Sequence, residues 1–273
     1  MTQHALSSVG GFRKIVLTFF KKKGRHTLPW RHTHDPYKIL VSEIMLQQTQ
    51  ADRVIPKYKL FIRKFPTVQA LATASLGDVL REWQGLGYNR RAKMLHEAAK
   101  VIVTNYGGKV PTLYSELVEL PGIGDYTAKA VRVFAWNEPE VMIETNIRTV
   151  FIHHFFPNKV AVSDKELHPY MGEFLDTKNP REWYFALMDY GSYLKKIVPN
   201  PSRNSAHHTK QKSFKGSDRE VRGAILRALV SRSKSLPALL KELNFPQDKI
   251  KRQITALKKE GLIVIRKNKA QLP

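Results

Sequence analysis

The segment Leu120-Pro-Gly-Ile-Gly-Asp-Tyr126 constrains this chain more than any other. Apolar residues at helical spacing lead into it and resume directly after it. A helix must therefore stop near Pro121, turn within Gly122-Ile123-Gly124 and restart at Tyr126. So abrupt a restart leaves unpaired backbone N–H groups at the positive end of the second helix, an arrangement suited to holding a phosphate. Gly122, Ile123 and Gly124 are candidate phosphate-binding residues, and Lys129 lies one helical turn beyond Tyr126. A tight helix-helix turn needs no ligand, so this motif is not decisive by itself. Eighteen residues after Tyr126 stands Glu144, in Ile-Glu-Thr-Asn-Ile-Arg, where Thr145 or Asn146 can cap a new helix.

Charge narrows the class of partner. The 273 residues include 46 Lys and Arg against 23 Asp and Glu, a formal net charge of +23, which points to a polyanion and first of all to nucleic acid. Of these, 20 basic but only 5 acidic residues lie between Lys195 and Pro273. The absence of cysteine excludes disulfides, thiolate zinc sites and cysteine-held iron-sulfur clusters. No apolar run is long enough to span a membrane, and the stretch at 15–20 before Lys21-Lys22-Lys23 is too short for a signal peptide. The expectation is a monomer in the cytoplasm, associated with the nucleoid if the source is bacterial.

Helical periodicity dominates, and the fold class expected is mainly α. Asp35 before Pro36 reads as an N-cap followed by proline at the first helical position. Further helices are expected at Phe12 to Lys22, Thr67 to Ala72, Leu76 to Trp83, Arg90 to Tyr106, Leu113 to Glu119, Tyr126 to Trp136, Asn146 to Phe156 and Arg181 to Ile197. Residues of about 30–138 would form a six-helix lobe. The N-terminal helix with about 139–198 would form a second, so that 1–198 is one two-lobed domain. Residues 199–216, rich in Pro, Ser, Asn and His, suit a linker or strap, and His207-His208 read as loop histidines since further ligands are lacking. No metal site is expected. Residues 217–273 have three short helical patterns, Gly261 as a stop, and a strand from Leu262 to Ile265 leading into Arg266-Lys267-Asn268-Lys269. This pattern is winged-helix-like, with its third helix and basic wing available to DNA or, alternatively, serving to dock a protein.

Leu28-Pro29-Trp30-Arg31, Ser42-Glu43-Ile44-Met45-Leu46-Gln47-Gln48-Thr49-Gln50, Gly85-Leu86-Gly87-Tyr88, the Leu120–Tyr126 hairpin and Ile143-Glu144-Thr145-Asn146 follow one another in order. Over roughly residues 12–195 this series resembles the helix-hairpin-helix DNA glycosylases, most of all the adenine DNA glycosylases that act on mismatches. The resemblance implies two helical lobes that bind double-stranded DNA containing a mismatch or lesion and flip the target nucleotide into a pocket. Glu43, in a helix beside Leu40, Ile44, Met45 and Leu46, is expected to have a carboxyl pKa raised by desolvation and to protonate a purine ring nitrogen. Glu144, with Asn146 nearby, stands where the family has the carboxylate that stabilises the cationic sugar. Tyr126 occupies the position of the lysine in bifunctional relatives, which implies a monofunctional enzyme without lyase activity. Gln48, Thr49 and Tyr88 match the segments that enter the duplex and fill space beside the flipped nucleotide, while Trp30, Arg31 and Asp189 are candidates for reading the base.

Three departures from the family pattern stand out. Glu144 replaces an aspartate, and one added methylene can misplace a carboxylate by about 1 Å. The four cysteines that follow a glycine like Gly191 are missing, so no cofactor is expected, although a monovalent cation at the hairpin carbonyls remains compatible with the motif. The C-terminal segment is too short for the 8-oxoguanine-recognition domain of the longer adenine enzymes. The implied activity is excision of adenine opposite guanine or 8-oxoguanine. The alternatives are a mismatch thymine or uracil glycosylase, or a catalytically weakened DNA-binding protein that recognises damage.

Overall fold

The computed structural model describes residues 8–209 and 213–273. In chain order the first helices are α1 (Val9–Lys23), α2 (Pro36–Leu46), α3 (Ala51–Lys64), α4 (Val68–Thr73), α5 (Leu76–Glu82), α6 (Arg90–Tyr106) and α7 (Tyr114–Val118). There follow α8 (Asp125–Trp136), α9 (Thr145–Phe155), α10 (Asp164–Glu173) and α11 (Pro180–Ile197). The C-terminal segment runs α12 (Asp218–Ala228), β1 (Lys234–Ser235), α13 (Leu236–Glu242), α14 (Gln247–Lys259), β2 (Val264–Arg266) and β3 (Lys269–Gln271). The fold is mainly helical, as the periodicity predicts.

Local chemistry explains most boundaries. Asp35 caps α2 through its Oδ1, 2.9 Å from the Tyr37 amide, with Pro36 at the first helical position. Gly107 ends α6 in the left-handed conformation, at φ 59°. Two helices depart from the sequence expectation, α3 and α10, and each carries an internal proline, Pro56 and Pro169. Burial of Val54, Tyr58 and Phe61 holds α3 together, and a capping box between Ser163 and Glu166 starts α10.

The described residues divide into two compact units, 8–39 with 124–209 and 40–123 with 213–273. This division differs from the expected lobe limits, since 30–39 and α8 group with α1 and α9–α11, and the C-terminal segment groups with α3–α7. In the first unit Phe12 of α1 is fully buried, its ring centroid 5.6 Å from Phe151, 5.1 Å from Phe155 and 5.9 Å from Trp183. Phe134 of α8 stacks on Phe185 of α11 at 4.6 Å, which explains why α8 belongs here. Gly191 lets α11 approach α9 closely, since a Cβ there would lie 2.1 Å from the Asn146 carbonyl oxygen.

Residues 200–206 are not merely a linker. Asn200 caps a 3-10 turn at Pro201–Asn204, and Val162 pairs with Ser205 in a parallel bridge. Pro201, Ser202 and Ser205 are buried. Residues 210–212 of the expected 199–216 linker lie outside the described residues.

The second unit packs Trp83 against Phe61 at 5.9 Å among the fully buried Leu71 and Leu80. The C-terminal segment docks on this helical core. The Gly77 amide donates to the Pro273 carbonyl at 3.0 Å, Arg81 Nε to the Val230 carbonyl at 3.1 Å, and Lys93 Nζ to the Glu260 carbonyl at 2.6 Å. Its sheet has the order β1-β3-β2, with Arg266 opposite Lys269. The turn between them, Lys267-Asn268, has φ of 47° and 58°, the left-handed pair that a two-residue hairpin needs. Strands β1 and β3 were not legible in the sequence, being only two and three residues long. No helix among the described residues is long and apolar enough to cross a membrane.

Candidate active site

In the second unit, Glu43 lies near the C-terminal end of α2 and is only 7% exposed, next to Ile44 and Met45 at 2% and 0%. The chain then turns through Gln48, which is exposed and has φ 53°, and Thr49, which is half-buried. Tyr88, half-buried after Gly87, has φ 45°. Left-handed backbone at two non-glycine residues costs on the order of 1 kcal/mol or more each, and persists only where neighbours enforce it.

Arg91 is that neighbour, and the sequence reading missed it. From the first turn of α6 its Nη1 donates to the carbonyls of Ile44 at 2.7 Å, Met45 at 3.0 Å and Gln47 at 2.5 Å. Its Nη2 donates to Thr49 Oγ1 at 3.1 Å and to the Gly87 carbonyl at 3.3 Å. The guanidinium also lies 5.5 Å from the ring centres of both Trp83 and Tyr88. One side chain thus ties the loop after α2 to the Gly85–Tyr88 loop. Burial pushes its pKa down to about 10, which leaves it cationic at neutral pH. Nothing in its spacing distinguishes it from Arg90, so only its place after Gly-Leu-Gly-Tyr could have drawn notice.

The hairpin forms as expected. Ile123 is 5% exposed, and its amide donates to the Leu120 carbonyl at 3.1 Å. Gly122 has φ 78°, and a Cβ there would lie 2.5 Å from Met94 Cβ, so glycine is required by backbone and packing alike. Gly124 is the N-cap of α8, and a Cβ on it would meet nothing within 4 Å. Tyr126 stands half-buried in the first turn of α8, and Lys129 pairs with Asp125 at 2.8 Å.

In the first unit, Glu144 is itself the N-cap of α9, in place of the Thr145 or Asn146 cap read from the sequence. Its Oε1 accepts from the amides of Asn146 at 2.7 Å and Ile147 at 2.9 Å, while its Oε2 accepts from Asn146 Nδ2 at 3.1 Å. The longer arm folds back over the helix start and fixes the carboxylate there. Lys195 of α11 faces this charge. Burial lowers its pKa, and the attraction of Glu144 opposes that shift. A cavity of about 240 Å³ beside the start of α9 is lined by Thr145, Arg148, Lys195, Asn200, Ser202 and His207, among others.

Arg31 and Asp189, far apart in sequence, pair with each other in this geometry. Arg31 binds Asp189 with two hydrogen bonds, 2.8 and 3.0 Å, and Arg25 adds a third at 2.6 Å. The Asp189 side chain is 2% exposed, and the Arg31 side chain 6%. Burial alone would raise the Asp189 pKa, but the hydrogen bonds and charges of Arg31 and Arg25 outweigh it and hold the carboxylate below its ordinary value. The cluster fastens the segment after α1 to α11, with Arg181 donating to the carbonyls of Arg31 and Thr33. Trp30 is 5% exposed in the 3-10 turn Pro29–His32.

Residues 41–177 match the HhH-GPD superfamily base excision DNA repair protein family. An adenine DNA glycosylase of Buchnera aphidicola subsp. Baizongia pistaciae is 35% identical over 71% of this chain and 55% of the relative. One of Mycobacterium tuberculosis is 47% identical over 52% of this chain and 48% of the relative. The chain spans about half the length of these adenine relatives. A thymine/uracil-DNA glycosylase of Methanothermobacter thermautotrophicus is 31% identical over 67% of this chain and 84% of that protein. Among solved structures, a thermostable thymine-DNA glycosylase aligns with a TM-score of 0.60 and 28% identity, over 67% of this chain and 86% of that one. A trapped endonuclease III–DNA covalent intermediate, with a TM-score of 0.51 and 18% identity over 77% of this chain and 91% of that one, shares the fold. The chain belongs to the HhH-GPD superfamily of base excision DNA repair proteins.

Proposed function

We propose that this protein is a monofunctional DNA glycosylase that hydrolyses the N-glycosidic bond of a mispaired or damaged base in duplex DNA, with adenine opposite guanine or 8-oxoguanine as the leading target. The observation that carries this reading is Glu43, a carboxyl group buried to 7% exposure within the segment that matches the family. A buried acid of this kind donates a proton to a ring nitrogen of adenine. The glycosidic electron pair then leaves with a neutral base, and the sugar becomes an oxocarbenium cation. Glu144, fixed at the start of α9, is the anion that stabilises this cation until water adds to it. Tyr126 offers no amine for a Schiff base, so the product is an intact abasic strand.

The rest of the molecule fits binding to duplex DNA. Gly124 leaves open space at the start of α8 for a phosphate, and Gln48 and Tyr88 stand on a braced pair of loops suited to entering the stack. The succession of α12–α14 and β1–β3 supports reading this segment as winged-helix-like, with the basic turn at Lys267-Asn268 as a wing for DNA backbone.

A second reading, excision of mismatched thymine or uracil, is favoured by one observation. The thymine/uracil-DNA glycosylase of Methanothermobacter thermautotrophicus is 31% identical to this chain over 84% of its own length. A panel of duplexes with A·G, A·8-oxoguanine, T·G and U·G, treated with the protein and then with alkali, distinguishes the two. Cleavage confined to the adenine strands is expected. Cleavage at T·G or U·G alone supports the second reading, and no cleavage in any duplex refutes the glycosylase assignment. Borohydride treatment should trap no protein-DNA adduct.

A further inference from the structure

Tyr88 has a partner that the family pattern does not supply. Arg219, in the first turn of α12, belongs to the C-terminal segment, beyond the residues matched to the family. Its Nη1 donates to the Tyr88 hydroxyl at 2.7 Å, and its guanidinium lies 5.7 Å from the centre of the Tyr88 ring. With Arg91 5.5 Å from the same ring, the phenol is held by two cations from different parts of the chain. Tyr88 also carries the strained φ of 45°, so its side chain is aimed by its surroundings and not by a relaxed backbone. Arg219 is itself anchored, because α12 packs on α14 and Arg222, one residue before Gly223, makes a two-pronged pair with Glu260 at 2.9 and 2.6 Å. The carbonyl of that same Glu260 accepts from Lys93 of α6.

We propose that Arg219 is a positioning residue for Tyr88, and that the C-terminal segment thereby takes part in opening the duplex at the target base. This rests on the proposed glycosylase function, in which Tyr88 fills the space beside the extruded nucleotide. A tyrosine wedge must hold one direction while the stack is pried apart, because unstacking takes a few kcal/mol and a side chain free to rotate yields first. Arg219 fixes the hydroxyl end of the ring, and Arg91 lies against the ring itself.

The test follows base extrusion with 2-aminopurine fluorescence and base release by single-turnover alkali cleavage, in the full chain. Arg219→Ala is expected to slow both about tenfold, the size of one charge-assisted hydrogen bond. Arg219→Lys, which keeps the charge but not the planar fork, should recover only part of the loss. Arg227→Ala, which removes one charge from the same helix, should leave both rates unchanged. In a Tyr88→Ala background, Arg219→Ala should cost nothing further. Wild-type rates in Arg219→Ala, or an equal added loss when Tyr88 is already alanine, overturn the proposal while leaving the glycosylase reading intact. A wild-type protein that neither extrudes 2-aminopurine nor releases any base overturns that reading and the proposal with it.

Discussion

Arg91→Ala is the sharpest structural test of how the two loops are held. The wild-type guanidinium donates to three carbonyls at the end of α2, to Thr49 and to Gly87, and it rests against Trp83 and Tyr88. A hydrogen bond from a charged donor contributes about 1.5–3 kcal/mol, but bonds sharing one donor do not sum, and removing one side of a buried polar network costs about 3–5 kcal/mol. At roughly 2–4 °C per kcal/mol for a chain of this size, the melting temperature should fall on the order of 10 °C. Arg91→Lys should recover little, since an ammonium is compact and cannot reach both loops with a planar fork. Thermal unfolding followed by circular dichroism gives the shift, and limited proteolysis near Gln48 and Tyr88 shows whether these loops open first. A melting temperature within about 2 °C of wild type, with both loops still protected, would refute the bracing role.

Three further outcomes are expected. Glu144→Asp retains a preferred helix cap, so stability should hold within about 1 kcal/mol, while the shortened arm withdraws the carboxylate and lowers the single-turnover rate by up to about 10²-fold; an equal or faster rate would mean that the site is not built around the longer residue. Gly191→Ala puts a Cβ 2.1 Å from the Asn146 carbonyl, and urea unfolding should show a loss of about 3 kcal/mol or more; a loss under about 1 kcal/mol would contradict the close approach of α11 to α9. His154, which bonds the Tyr190 hydroxyl at 3.0 Å, has its pKa pushed down from 6.5 to about 4, first by burial and then by His153. The unfolded chain therefore takes up a proton between about pH 6.5 and 4 that the folded chain refuses, and stability should fall as pH drops through that window, by at most about 3 kcal/mol. A melting-temperature profile of His154→Gln as steep as that of wild type would show that another group controls the acid response.

The helices that were legible in the sequence are those whose ends carry local chemistry. The Asp35-Pro36 start, the end of α6 at Tyr106 and the hairpin at Gly122-Ile123-Gly124 need only neighbours in sequence, and they stand where expected. Helices α3 and α10 were hidden by Pro56 and Pro169, whose local cost is offset by tertiary burial and a capping box that periodicity does not weigh. Glu43 could be placed because its helix is apolar around it. The commitments of charged side chains were not legible. Arg31 and Asp189 have the residue types of a base-reading pair, yet 158 positions apart they close on each other, and only the packing of α11 shows it. Arg91 and Arg219 are two among 46 basic residues, and their meeting at Tyr88 depends on the docking of the C-terminal segment on α5 and α6.

The central claim is that Glu43 delivers the proton that releases the base. It is tested most directly by single-turnover base release from an A·8-oxoguanine or A·G duplex by Glu43→Gln beside wild type, at equal duplex occupancy. The amide keeps the shape of the side chain and removes the proton. General acid catalysis contributes about 10²–10⁴-fold, so the variant should bind the duplex as wild type does and release adenine at least 100-fold more slowly. A variant that binds and releases adenine at a rate close to wild type would contradict the account.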